Sequence, residues 1–433
     1  MFTGEAIGAD FCHDEYPGGN FAPDAVVEAQ STDDVSVVLK ICSENDVPVT
    51  VRGAGTGQVG GSVPIKGGIV LSVKGMDKIL EFNEAERTLR VQPGVLLQDV
   101  KSEAESHGLY YPPDPGEKTS TIGGNAATDA GGPCAVKYGG TRDYIVDGVA
   151  VLADGSVKKL NDAEEIIGSE GTLGVMTKVT LKIHPIPEAR KFHAFLFPDM
   201  HSAMTAGAGL MHSRLQPCAI RLYDGPETAR LIRRVLGIDR EGAYLVFGFD
   251  GPEKIVDLQM ERACEICRAA GPKEDLGSES GEAWWRNRYK FFYPPYMFHM
   301  PQAFGTLDTV ATFSRIENVY WAMKETVEEN FPEATFIGHF SHWYDWGCMN
   351  YSRFIIDNPP EDQEECIRLH NRIWNAGVRA AIANGGVIND HHGIGLKLSR
   401  LMKEQYGPAM QVMESLKKGL DPNGIMNPYK LGL

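Results

Sequence analysis

The residues best suited to moving protons fall late in the chain. His339, His342, His370, His391 and His392 all lie in its last hundred positions. The run Asn389-Asp390-His391-His392-Gly393-Ile394-Gly395 joins an apolar strand to a helix. Two adjacent histidines on a glycine-flanked turn seldom serve packing. A neutral imidazole near pH 7 can take the proton of a substrate hydroxyl. If hydride leaves the same carbon for a redox cofactor, the step is a two-electron oxidation.

The first half of the chain shows where such a cofactor could lie. Of 48 glycines in 433 residues, 26 fall in positions 1–180. One loop runs Arg52-Gly53-Ala54-Gly55-Thr56-Gly57-Gln58-Val59-Gly60-Gly61. Gly55, Gly57 and Gly60 satisfy G-x-G-x-x-G, but a Rossmann site needs a helix to open there. Gly60-Gly61, Pro64 and Gly67-Gly68 make that helix implausible. Consecutive backbone amides without side chains can still form a nest for a diphosphate. A second stretch runs from Tyr111-Pro112-Pro113-Asp114-Pro115 through Thr119, Gly123-Gly124-Asn125, Thr128 and Gly131 to Gly139. A third is Gly168-Ser169-Glu170-Gly171-Thr172-Leu173-Gly174. Three small-residue loops suit one extended dinucleotide.

The elements that must position these residues read as α+β. Short strands are expected at 25–27, 47–51, 68–73, 89–92, 145–152 and 175–183, with helices near 32–45, 97–107 and 202–212. Thr32-Asp33-Asp34 reads as a helix N-cap, and Asp154-Gly155 as a hairpin turn. Pro185-Ile186-Pro187 looks like a linker, and longer helices follow it, the last interrupted at Gly407-Pro408. Trp284 to Phe304 holds nine aromatics in 21 residues; these suit either a core or the wall of a ligand pocket. Net charge is −16, which argues against sequence-independent nucleic-acid binding. No apolar run approaches the ~18 residues of a transmembrane span, and no apolar leader opens the chain, so a cytoplasmic protein is expected. Cys264 and Cys267 form a lone C-x-x-C on a helix, read as structural.

Together the motifs R-G-A-G-T-G, P-P-D-P, T-I-G-G-N, K-Y-G-x-T-R-D and G-S-E-G-T-L-G resemble the flavoproteins of the vanillyl-alcohol oxidase and p-cresol methylhydroxylase family. They look most like its glycolate and D-lactate dehydrogenase branch. Leu420 to Pro428 resembles that branch's C-terminal signature. The resemblance implies a two-subdomain PCMH-type FAD-binding domain over 1–187. A cap domain with an antiparallel sheet flanked by helices follows over 188–397, and a helical segment, 398–433, returns to the first domain. It places Arg52 to Gly57, Gly60 and Gly61 on the diphosphate of FAD. Pro115, Thr119, Gly123, Gly124, Asn125, Thr128, Gly131, Gly139, Glu170, Gly171, Thr172 and Asn427 lie along the rest of the cofactor. Residues 14–106 contain no histidine, so a histidyl-flavin bond in the first loop is excluded and FAD is expected to be non-covalent.

That branch usually holds a divalent metal on G-H-x6-H and on a glutamate before the last H-G. Here Gly338-His339 is followed seven residues on by Trp346, and His391 stands before His392-Gly393. A metal is therefore not expected; His339, His342 and His391 would be its ligands. Ser341-His342 and His391-His392-Gly393 also look like alkyl-dihydroxyacetone-phosphate synthase, whose catalytic tyrosine would fall at Tyr351 if Ser341-His342 is aligned, or at Asn350 if Cys348 is aligned. That leaves open a lipid-like or aromatic substrate. Trp285-x-x-Arg288 and Ser314-Arg315-Ile316 resemble the branch's carboxylate-binding motifs.

The resulting expectation is oxidation of a D-2-hydroxy acid. His392 is the base, with His391, His342 and Tyr351 nearby, and Arg288 and Arg315 hold the acid group. With no iron–sulfur pattern, electrons would pass to an acceptor protein. An electron-relay subunit of a larger complex, or a homo-oligomer, stays open. Acid precipitation should leave the yellow flavin in the supernatant; colour in the pellet would mark a covalent link. Metal analysis should find well under one equivalent of Zn, Mn or Fe.

Overall fold

The structure, a computed structural model, describes residues 1–16, 18–162, 164–291 and 303–433. Its chain divides into two compact units. One comprises residues 1–131, 139–186 and 391–433, the other 132–138 and 187–390. No helix among the described residues is long and apolar enough to cross a membrane.

In the first unit, strands β1 (Ala25–Glu28), β2 (Val49–Arg52) and β3 (Ile69–Ser72) form a parallel sheet in the order β1-β3-β2, with Phe2–Thr3 on its edge. Helix α1 (Thr32–Glu44) crosses between β1 and β2 and buries Val35, Leu39 and Cys42 against Val49, Leu71, Val151 and Val175. Its cap is Ser31, one residue before the expected Thr32; the Ser31 hydroxyl accepts from the Asp34 amide. The antiparallel strands β4 (Ile79–Asn83), β5 (Thr88–Val91), β6 (Ile145–Val151), β7 (Val157–Lys159) and β8 (Val175–Lys182) form a second sheet, ordered β4-β5-β8-β6-β7. Asp154-Gly155 turns β6 into β7 as expected, with Gly155 at φ 81°. No helix opens within 53–68, which agrees with the rejection of a Rossmann loop. Two helices do form nearby, α2 (Leu97–Ser106) and the short α3 (Ile122–Thr128), the latter capped by Thr121.

The second unit is built on an eight-stranded antiparallel sheet. Its strands are β9 (Ala189–Phe197), β10 (Ala219–Tyr223), β11 (Ala243–Gly251), β12 (Glu274–Leu276), β13 (Phe304–Thr312), β14 (Ala334–Trp343), β15 (Gly347–Ile356) and β16 (Val387–Ile388). Their order is β12-β9-β11-β10-β14-β15-β13-β16. Helices α4 (Met200–His212), α5 (Glu253–Ala269), α6 (Gly277–Asn287), α7 (Phe313–Asn330) and α8 (Gln363–Ala383) flank it. Cys264 and Cys267 are buried on α5 as free thiols. Trp284 is buried, Trp285 stacks on Phe192, and Phe291 is buried beside them, so this part of the aromatic segment is core. Phe292, Tyr293, Tyr296 and Phe298 lie outside the described residues.

Two boundaries differ from expectation. Residues 132–138 join the second unit because Asp250 takes both the Lys137 ammonium (2.6 Å) and the Tyr138 hydroxyl (2.8 Å). The chain re-enters the first unit at His391, not 398, because the Glu170 carboxylate holds the amides of Ile394 and Gly395.

The C-terminal helix Met410–Leu420 is locked by one buried lysine. Lys417 donates to the Asp421 carboxylate (2.6 Å) and to the carbonyls of Thr172 (2.7 Å) and Met426 (2.6 Å). Removing a partner from a buried ion pair strands the other charge. Lys417→Met should therefore cost about 3 kcal/mol in denaturant unfolding; a loss under about 0.5 kcal/mol, the scale of a surface change, would show that the network carries no stability.

Candidate functional site

In the first unit two of the three glycine-rich loops are drawn together by one side chain. Met426 bridges Val49 in parallel, which sets Asn427 beside β2. The Asn427 carboxamide accepts from the Val51 amide (2.8 Å) and donates to the carbonyls of Gly61 and Glu170. Thus residues 51–61, 168–174 and the C-terminal segment share one buried amide. The amides of residues 54–61 donate no hydrogen bond among the described residues. Gly53 has no room for a side chain, since a Cβ would sit 2.3 Å from the Thr121 hydroxyl. At Gly171, with φ 74°, a Cβ would meet Asn427 at 3.0 Å. Close-packed backbone with a run of unused donors fits the diphosphate of a dinucleotide.

The other expected cofactor residues take several parts. Arg52 is buried, and its guanidinium donates to the His13 carbonyl (2.7 Å) and the Ser62 hydroxyl, bracing the loop from behind. Gly123, Gly124, Asn125 and Thr128 lie on α3, with the Thr128 hydroxyl on the Gly124 carbonyl. Gly139 turns the chain at φ 77°, Thr119 is exposed on Glu117, and Pro115 and Gly131 sit in irregular segments.

Glu170, also among the expected cofactor residues, has a further part. Its backbone is in the left-handed region (φ 51°) and its carboxylate is buried. Burial pushes its pKa up to about 7, against the pull of the Ile394 and Gly395 amides. Those amides end the turn that carries His391 and His392, whose rings lie 4.1 Å apart. Gly393, at φ 85°, admits no side chain, because a Cβ would lie 2.9 Å from a Glu170 oxygen.

In the second unit the remaining candidates gather on the sheet face opposite α7. Phe336, Gly338 and Phe340 of β14 face Tyr320 of α7, so Ile337 and His339 face the other way. Asn350 pairs with Phe340 and Cys348 with Trp343, leaving Ser341 and His342 together opposite Met349. This is a β-bulge, which re-aims a side chain. Trp343 returns to the helical face, against Gly207 of α4. His342 thereby joins His339 and Tyr351 instead of alternating away from them. In an unbroken strand, a spacing of three would have split the two histidines.

Each histidine has its own carboxylate. Nδ1 of His342 lies 2.5 Å from Asp390, whose other oxygen accepts from the Tyr344 hydroxyl (2.7 Å). The Asp390 amide donates to Asp308 of β13. Nδ1 of His339 lies 3.0 Å from Glu227, which also takes the Arg353 guanidinium. Tyr351 stacks on His339 at 4.7 Å and 9°. The same face carries Arg221 of β10, which donates to the Ser341 carbonyl.

The two arginines expected to hold a carboxylate lie as follows. Arg288 is folded over Trp285 (3.9 Å) and Tyr289 (4.3 Å). Arg315 is exposed in the first turn of α7, on the helical side, against Gly385. Sequence reasoning passed over Arg221, Glu227 and Arg353. The available signal was a charge inside an otherwise apolar strand, as in Ala219-Ile220-Arg221-Leu222-Tyr223 and Arg353-Phe354-Ile355-Ile356.

Residues 23–161 match the FAD binding domain family, and residues 186–431 match the C-terminal domain of FAD linked oxidases. A D-lactate dehydrogenase of Anaerostipes hadrus is 34% identical, over 100% of this chain and 94% of its own. A glycolate oxidase subunit of Bacillus subtilis is 30% identical, over 97% and 91%. The solved structure of p-cresol methylhydroxylase with substrate bound aligns at TM-score 0.79 and 16% identity, over 98% of this chain and 92% of that one, and shares the fold. The glycine cradle around Asn427 fits the cofactor these matches name, and the chain belongs to the FAD-linked oxidases, a flavoprotein oxidoreductase that binds FAD and acts on CH–OH groups.

Proposed function

We propose that the protein oxidises a D-2-hydroxy acid and passes the electrons to an acceptor protein. The observation that carries this reading is the bulge-placed His342–Asp390 pair, on one sheet face with His339, Tyr351 and a buried arginine. The relatives named for D-lactate and glycolate support the substrate class.

When bound, FAD supplies the two-electron acceptor for the hydride of the substrate carbon. The chain's own residues handle the proton. Asp390 on Nδ1 of His342 selects the tautomer whose Nε2 is an acceptor, as required of a base toward a hydroxyl. The Tyr344 hydroxyl on the second Asp390 oxygen holds that carboxylate in place. Tyr351, against His339, presents a hydroxyl-bearing ring to the same face. In the first unit, His391 and His392 are further candidate proton carriers, on a turn fixed by Glu170.

Anaerobic mixing of the holoenzyme with a panel of D-2-hydroxy acids should bleach the flavin absorbance; bleaching by none of them would sink the substrate class. His342→Ala should slow bleaching by about 10²–10⁴-fold with flavin content unchanged. An unaltered rate would remove His342 as the base.

A further inference from the structure

Arg221 has a property that the oxidation chemistry above does not use. It lies in the middle of β10 and is 7% exposed. Tyr223 faces His339, with ring centroids 5.3 Å apart, so Arg221, two residues earlier, lies on the same sheet face. Its guanidinium donates from Nη1 to the Ser341 carbonyl. Among the described residues, Nε and Nη2 donate no hydrogen bond and no carboxylate pairs with Arg221. Other cations of this face are matched: Arg353 by Glu227, and Arg190 and Lys137 by Asp250.

A buried charge without a counter-ion is expensive. Burial lowers the pKa of Arg221 to about 10, so it still carries its proton at neutral pH. The fold thus holds a permanent cation, with part of its donor fork unused, on the face that carries the candidate base. Such a fork suits a carboxylate gripped at two points. Ser341, whose carbonyl Arg221 touches, immediately precedes His342. A 2-hydroxy acid carries its carboxylate on the carbon next to its hydroxyl, so anchor and base must be neighbours.

We propose that Arg221 is the anion anchor of the second unit, the residue that grips the carboxylate of the hydroxy-acid substrate; the inference rests on the function proposed above. The anchor, not Arg315, then sets the requirement for an acid.

The test uses holoenzyme and two probes. Oxalate, a dicarboxylate that cannot be oxidised at a CH–OH group, is titrated while the thermal midpoint is followed. Wild-type protein should be stabilised, Arg221→Met should need about 100-fold more oxalate, and Arg221→Lys should fall between. D-Lactate and its neutral methyl ester are then compared by anaerobic flavin bleaching. Arg221→Met should raise KM for D-lactate about 100-fold, leave flavin content unchanged, and abolish the preference for acid over ester. Arg221→Lys should recover part of that preference with kcat retained, which a merely structural role would not produce. Equal oxalate response in wild type and Arg221→Met overturns the anchor, whatever the turnover. Arg221-dependent oxalate binding without bleaching by any hydroxy acid refutes the oxidation reading alone.

Discussion

Buried peptide groups in glycine-rich loops must find partners, and in the first unit much of this demand falls on one amide side chain. The Asn427 carboxamide is given to distant backbone at three points: Val51, Gly61 and Glu170. An unmet buried donor or acceptor costs about 1–3 kcal/mol, so these contacts are held together or lost together. They explain why a segment 376 residues downstream of β2 sits beside it. They also explain why glycine is required at 171, where the left-handed backbone and the Asn427 carboxamide leave no space for a side chain. Glu170 extends the same logic outward, since its carbonyl meets Asn427 and its carboxylate meets the amides after the His391-His392 turn.

The second unit solves a different problem. An antiparallel sheet presents alternate residues to each face, and one face here is spent on packing against helices. The remaining face must collect polar groups whose spacing in sequence does not follow a period of two. A bulge at Ser341-His342 does this by inserting one residue, so that His339 and His342 share a face. Charges on that face are paired wherever they serve the fold. Glu227 balances Arg353 and orients His339, Asp250 ties down Lys137 and Arg190, and Asp390 orients His342. Against that background Arg221, with no counter-ion among the described residues, stands out as the charge proposed to be kept for a ligand.

Much of the architecture was legible from residues alone. The strand–helix–strand order of β1, α1 and β2, the 154–155 hairpin and the non-helical 53–68 loop all follow from local rules of turn chemistry and apolar period. Local rules were weaker at boundaries. Thr32 was expected as a cap, but Ser31 takes that part because its hydroxyl reaches the Asp34 amide. Helix α3 was not anticipated, since Gly123-Gly124 in its first turn reads as loop; packing of Ile122 and Ala126 overrides that low propensity.

The site divides along the same line. The motif set by itself determined the cofactor class, because it is encoded in short runs of sequence; the late histidines as chemical centre were an expectation from residue type, and a cap on antiparallel strands was implied by the family resemblance. Only the tertiary structure decided which histidine receives which carboxylate, that Arg315 stands apart from the polar sheet face, and that Arg221 is a buried cation without a counter-ion among the described residues. Those are relations between strands far apart in the chain. They depend on register and on a single inserted residue, and a one-residue change of register moves every side chain to the opposite face.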